Sequence, residues 1–445
     1  MTIRWLLSLI LATTLHAEFR AGTAKTEITP DLKAHAPVYM AGFDNNRVAN
    51  AIHDPLYARC VAFAADNRPI VICEADLIGL FLDDTDKIRT AIRAKYPSAD
   101  TVVAATHDHE GPDTMGQWGA GAGKSGLNEP YNALVVERIA ATAIHALDSM
   151  RPARARLAEV KSKELDAFID DTRPPVVHDS NLIVLALDDL AGAPIATVVN
   201  WANHPETLGS ANTQITADYP HALCARLEHR RGGVAALWNG AVGGMQSPLG
   251  AKVSNTKPDS FEMADAIGNR VADLALEAIG HATPAPIDAV VYRETRIRIP
   301  VANQDFIMAA KIGLFGGRKA FNADQTTTTP VGLLRFLQTG NPILEVALIP
   351  GELYPELSVG GVVRYSGADY PDAPIELGIK TLLTARYRML IGLANDEIGY
   401  IIPKAEWDAK PPYLQGAAKP WYGEVNSVGP EAAPSIVRAL SELAR

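Results

Sequence analysis

The chain is poor in cysteine, in positive charge and in long apolar runs, and each shortage narrows what it can be. Three cysteines in 445 residues cannot staple a disulfide scaffold, and without a CxxC pair there is no cysteine zinc site. Cys60 and Cys73 lie within apolar runs and read as buried, reduced residues, and the odd count leaves at least one thiol unpaired. Lys and Arg number 41 against 51 Asp and Glu, a net charge of −10. An acidic surface repels phosphate backbones and anionic bilayers, so nucleic acid is not an expected partner. No stretch reaches the 18 or more apolar residues of a transmembrane segment. Internal repeats, low-complexity tracts and a GxSxG nucleophile elbow are missing too. Gly119–Ser125 places three residues between its glycines where a phosphate-binding loop needs four, and the GxGxxG at Gly121–Gly126 follows no strand; both read as flexible loop.

What is present supports a large core, since 47% of the chain is apolar. Arg4, the apolar run Trp5–Leu15 and Ala17 form a basic, then hydrophobic, then small-residue leader, so residues 1–17 read as a signal peptide. The mature protein, residues 18–445, is then periplasmic or secreted.

Short β-branched runs at Tyr57–Ala65, Pro69–Cys73, Thr101–Thr106, Asn181–Leu187, Ala196–Trp201, Val234–Trp238, Leu344–Pro350 and Arg388–Leu393 read as strands. Helical periods cover Asp84–Lys95, Pro130–Ser149, Pro258–Ile279 and Pro434–Ala444. The fold class expected is α/β, with mixed layered sheets and flanking helices in one large domain. Thr283–Asp288 is the best internal seam, and Asn303–Pro342, rich in Gly, Thr and Asn, reads as an insertion or lid.

Chemistry gathers where polar residues follow strands. Thr101–Thr106 runs into His107-Asp108-His109-Glu110-Gly111-Pro112-Asp113, and Ala196–Ala202 into Asn203-His204-Pro205. Leu344–Ile349 runs into Pro350-Gly351-Glu352, and Met389–Ala394 into Asn395-Asp396-Glu397-Ile398-Gly399-Tyr400. Ligands of α/β sheets collect outside the carboxyl ends of strands, so these four ends suggest one convergent site. His107 and His109 fall on one face of an extended segment, and imidazoles with a carboxylate suit zinc. Ser247, taken alone, reads as a turn serine.

In order and in strand-end position, these segments resemble the catalytic N-terminal domain of the neutral/alkaline, non-lysosomal ceramidases. Ala21–Pro30, Met40-Ala41-Gly42-Phe43 and Ile52–Arg59 belong to the resemblance. So do Thr106–Pro112 beside the family's THTHSGPGG, and Asn200–Pro205 beside its NWFAxH. Gly244–Pro248 is similar to GDVSP, Ile349–Glu352 to PGE and Asn395–Tyr400 to N-x-Y-x-x-Y. The resemblance implies a zinc ion held by His107, His204, Glu352 and Tyr400, with His109, Ser247 and Tyr422 around the reacting carbonyl. It implies a zinc-dependent amidohydrolase that cleaves an N-acyl bond of a ceramide-like lipid with zinc-activated water. A zinc hydrolase of the same fold acting on an ester, lactone or polar amide, and a non-enzymic binding protein on this scaffold, are the alternatives. The partner expected is a small-molecule or lipid substrate. The sequence departs from the family at Asp108, Glu110 and Asp113, which suggest an acidic mouth, and at Met245 and Asp396-Glu397. The family usually continues into an immunoglobulin-like domain where this sequence ends, at Arg445.

Overall fold

Eight strands of the sequence build one large, strongly curled sheet in the computed structural model. The structure describes residues 18–445 except Thr172, Met245, Gln246, Ser254, Thr283 and Ala320; the leader reading falls outside that range. The strands are β1 (Arg20–Glu27), β2 (Tyr57–Ala64), β3 (Ile70–Ala75), β4 (Asp100–Ala105), β5 (Arg151–Val160), β6 (Leu182–Asp189), β7 (Pro194–Trp201) and β8 (Val234–Asn239). Their spatial order is β8-β7-β6-β5-β1-β2-β3-β4, with Pro284–Ala285 added beside β5. The outer pairs β8/β7 and β3/β4 are parallel and the interior pairs antiparallel. A second sheet follows in the order β9 (Ala289–Pro300), β10 (Thr326–Gln338), β11 (Asn341–Leu348), β12 (Tyr387–Ile391), of which only β11/β12 is parallel.

The sheets pack face to face over one core, where Phe63 meets Phe336 edge-on at 5.1 Å and Trp238 at 6.3 Å. Helices cover the outer faces. α1 (Leu82–Lys95) and α2 (Glu129–Asp148) lie over β1–β4, and α3 (Tyr219–Arg231) and α4 (Phe261–His281) over β6–β8. The second sheet is backed by α7 (Ala432–Ala444), while α5 (Gln304–Lys311) and the short α6 (Tyr422–Val425) follow the sheets toward the cleft. Local chemistry sets the helix starts: Asn128 accepts from the Tyr131 N–H, Ser260 from Met263 and Asp218 from Tyr219. The architecture is therefore mixed α/β in a single domain, with layers running helix, sheet, sheet, helix.

Three expectations need correction. Cys60 and Cys73 are not reduced: they face each other across β2 and β3 and form a disulfide, leaving Cys224 as the buried free thiol. Asn303–Pro342 is not an insertion throughout, because its second half is β10, a 13-residue strand inside the second sheet. The TPAPID seam joins two layers that share a core, and Thr283 itself lies outside the described residues. No helix among the described residues is long and apolar enough to cross a membrane.

Candidate active site

β4 and β8 are opposite edges of the large sheet, yet the loops that follow them meet. Asn239, the last residue of β8, makes the junction. Its side-chain amide donates to the Thr106 carbonyl at 2.6 Å and to the Asn203 carbonyl at 3.0 Å. The His109 N–H donates to the Pro205 carbonyl at 3.0 Å, stapling the loop after β4 to the loop after β7. On the second sheet, β11 and β12 are parallel neighbours, so the segments after them run side by side. Glu352 pairs in register with Tyr400 in a short parallel ladder. The Asn395 side chain accepts from the Val103 N–H at 2.9 Å, docking this half onto β4.

His107, His109 and His204 come together, with ring centroids 4.8–5.4 Å apart and all three rings buried. His107 sits in the left-handed region at φ 68°, a strained conformation for a non-glycine residue, which turns the chain sharply as it leaves the strand. Its Nδ1 lies 2.8 Å from the Ile78 carbonyl. A carbonyl only accepts, so Nδ1 carries the proton and Nε2 presents a lone pair. That Nε2 is 3.3 Å from Glu352 Oε2, and His204 Nε2 is 3.2 Å from the same oxygen. A lone pair facing a carboxylate is repulsive unless a proton or a cation lies between them. His107, His109 and His204 bring ring nitrogens close enough together to hold a metal ion, and Glu352 adds a carboxylate oxygen beside two of them. Burial alone would raise the Glu352 carboxyl, but His107 and His204 beside it hold it well below the usual range. Burial and then the charge of Glu352 push the Tyr400 phenol well up.

His109 faces the same cleft. Desolvation, then the neighbouring His107 and His204, hold it well below the ordinary histidine value, so its ring is neutral. Glu206 Oε2 lies 3.2 Å from its Nδ1, and Gly42 and Phe43 pack on the ring. Tyr422 stands at the mouth, its ring edge-on to Tyr400 at 5.8 Å. Ser247 is buried in a two-way backbone bridge with Asp170, and its Oγ accepts from the Leu249 N–H. The turn that carries Ser247 packs on the Glu352–Pro355 segment, but Ser247 is not among the residues lining the cleft.

The acidic mouth expected from Asp108, Glu110 and Asp113 is not there. All three point inward. Asp108 accepts from the Glu110 N–H, and Asp113 from the N–H groups of Met115, Gly116 and Trp118. Glu110 is paired with buried Arg47 at 3.1 Å and with Asn212 at 2.8 Å. The cleft wall instead carries Phe81, Met115, Trp118, Phe306, Phe315 and Phe321. Several of these come from the stretch after β9, and the stretch's polar composition hid that role.

Two solved structures share this architecture. One is neutral ceramidase from Pseudomonas aeruginosa, 19% identical, with a TM-score of 0.71 over 96% of this chain and 74% of that one. The chain has the neutral ceramidase fold. The other is a ceramidase complexed with C2, 18% identical, with a TM-score of 0.71 over 96% of this chain and 75% of that one. No protein-family model matches the sequence, and no curated protein matches it. Within the ceramidase fold, sequence reasoning reached His107, His109, His204, Glu352, Tyr400 and Tyr422, which the structure gathers at one cleft. It missed Asn239, Glu206 and Arg47, polar residues whose burial no local pattern announces.

Proposed function

We propose that the protein is a zinc-dependent hydrolase that cleaves an N-acyl amide bond. The observation that carries this reading is the pair of histidine Nε2 atoms, His107 and His204, converging on one Glu352 oxygen at the end of a ceramidase-fold cleft. His107, His204, Glu352 and Tyr400 would hold the zinc. Bound there, zinc supplies Lewis acidity, polarising an acyl carbonyl and lowering the pKa of water to about 7.

The remaining steps belong to side chains. His109, neutral and with Glu206 Oε2 3.2 Å from its Nδ1, would accept a proton from the attacking water and return it to the leaving amine. Tyr422, at the mouth above Tyr400, is the donor placed to stabilise the developing oxyanion. The aromatic wall of Phe81, Phe306, Phe315 and Phe321 suits an apolar acyl chain and supports a ceramide-like lipid as substrate. Export fits the leader-like residues 1–17 and the Cys60–Cys73 disulfide.

Metal content of the purified protein tests the centre. About one zinc per chain is expected, lost in His107→Ala together with hydrolysis of N-acyl substrates. A folded wild-type protein without metal, or a fully active His107→Ala variant, overturns the reading.

A further inference from the structure

The cleft wall carries two charged side chains besides Glu352, namely Lys319 and Glu397. Lys319 is already committed. Its ammonium is held by both oxygens of buried Asp396, at 2.8 and 2.7 Å. Glu397 is only half committed. Its Oε1 accepts from the Gly399 N–H at 2.7 Å, while Oε2 has no hydrogen-bond partner in a side chain that is 4% exposed. A buried carboxyl oxygen left unpaired costs about 1–3 kcal/mol, more if charged. Other buried carboxyls here, such as Glu74, Asp108 and Glu356, also have an unpartnered oxygen, but Glu397 is the one among these whose side chain lines the cleft. The position is also specific. The Glu397 stem lies over Gly79, beside the Met115 sulfur, where the aromatic wall meets the histidine floor. Among the described residues Lys319 is the cation that lines the cleft near Glu397, and its ammonium hydrogen-bonds Asp396 instead, so Oε2 is left open to a donor that enters the cleft.

We propose that Glu397 is a specificity residue that binds a primary ammonium group on the substrate, which selects acylated amines carrying a second, cationic amine next to an apolar chain. This deepens the hydrolase reading and rests on it for the word substrate; the binding site does not depend on turnover. An ammonium donating to Oε2 satisfies the orphaned acceptor, and the aromatic wall takes the hydrocarbon. Cation–π contact with Trp118 adds to the same preference, the Phe81 ring being already taken by the Lys319 ammonium 5.7 Å from its centroid. Burial and then the charge of Glu352 raise the Glu397 carboxyl, and an incoming cation offsets both effects.

Calorimetric titration of the protein as purified, with octylammonium and octan-1-ol at pH 7, tests this, since neither probe has a bond to hydrolyse. Octylammonium should bind about tenfold or more tightly than octan-1-ol. Glu397→Gln keeps an acceptor for the Gly399 N–H and should abolish that preference without changing octan-1-ol affinity. Glu352→Gln should retain it. Equal affinity for the two probes in the wild type, or a preference that survives Glu397→Gln, overturns the proposal. A wild type that shows the preference but holds no zinc overturns the hydrolase reading while leaving the ammonium site standing.

Discussion

Arg47 and Gly42 show how single residues outside the strand-end motifs shape the site. Arg47 is buried beside Glu110 and also donates to the carbonyls of Ala41 and His109. It therefore neutralises one of the acids that the sequence places beside the histidine cluster, and it fixes the backbone of His109. Removing it leaves Glu110 as an uncompensated buried charge. Arg47→Met should cost about 3–5 kcal/mol in urea unfolding, and adding Glu110→Gln should recover part of the loss. Wild-type stability in the single variant would mean the pair is not closed in solution. Gly42 has φ +94°, and a Cβ built there would fall 2.4–2.6 Å from atoms of the His109 imidazole. Gly42→Ala must displace that ring. A displacement of this kind should lower kcat on the order of 10²-fold while zinc content stays at the wild-type level. Parallel loss of metal and activity would instead place His109 among the ligands.

Elements meet here through their ends, and the hydrogen bonds that join them are as much part of the site as the histidines. Asn239 ties β8 to the loops after β4 and β7 in one side chain, and neither carbonyl it serves has access to water to replace it. Asn239→Ala should destabilise the fold by about 2–3 kcal/mol, as the buried Thr106 carbonyl loses its donor and the Asn203 N–H its acceptor, while the Asn203 carbonyl keeps the Tyr219 hydroxyl. It should also weaken zinc binding, because His107 and His204 sit on the loops it joins; unchanged zinc affinity by competition with a chelator would refute that role. Much of this element-level picture is legible in the sequence. Each short β-branched run and each helical period corresponds to an observed element, because the buried strands are nearly all apolar and bounded by turns. Tyr219–Arg231 escapes a periodicity reading because charged and polar side chains interrupt its apolar face, although Pro220 in its first turn and Gly232 after its end were available signals. β9 runs from an apolar start, Ala289–Tyr292, into a charged stretch and alternates only over Arg296–Ile299, and it pairs along its whole length with β10, whose threonine-rich start reads locally as loop. The disulfide has its own signature: Cys60 and Cys73 are symmetrically placed about Asp66-Asn67, so an antiparallel turn there must bring them opposite. Apolar context alone could not reveal this.

The curl of the whole molecule has an electrostatic consequence. By bringing both edges of the large sheet to one place, it buries many carboxyls behind the histidines, and several sit too deep to ionise easily. Burial raises Asp218 to about 7, and burial together with the charge of Glu406 raises Glu356 to about 8. In the unfolded chain both groups titrate at their ordinary values, near 3.8 and 4.5. Between those limits the native state holds protons that the unfolded state has released. The stability these groups contribute is therefore fully present below about pH 4 and is lost as pH rises through 7–8, by at most about 1.4 kcal/mol per pH unit for each group. Glu352, held low by its histidines, works in the opposite sense but only in more acidic solution. Unfolding free energy should consequently fall from pH 5 to pH 9. Asp218→Asn keeps an oxygen to accept from the Thr207 hydroxyl and the Tyr219 N–H, so it tests the proton rather than the contact. Its stability profile should be flatter than that of the wild type over the same range. A wild-type profile that is level or rising from pH 5 to pH 9 would mean that these carboxyls are ionised in the folded protein, with water or a cation reaching them behind the histidines.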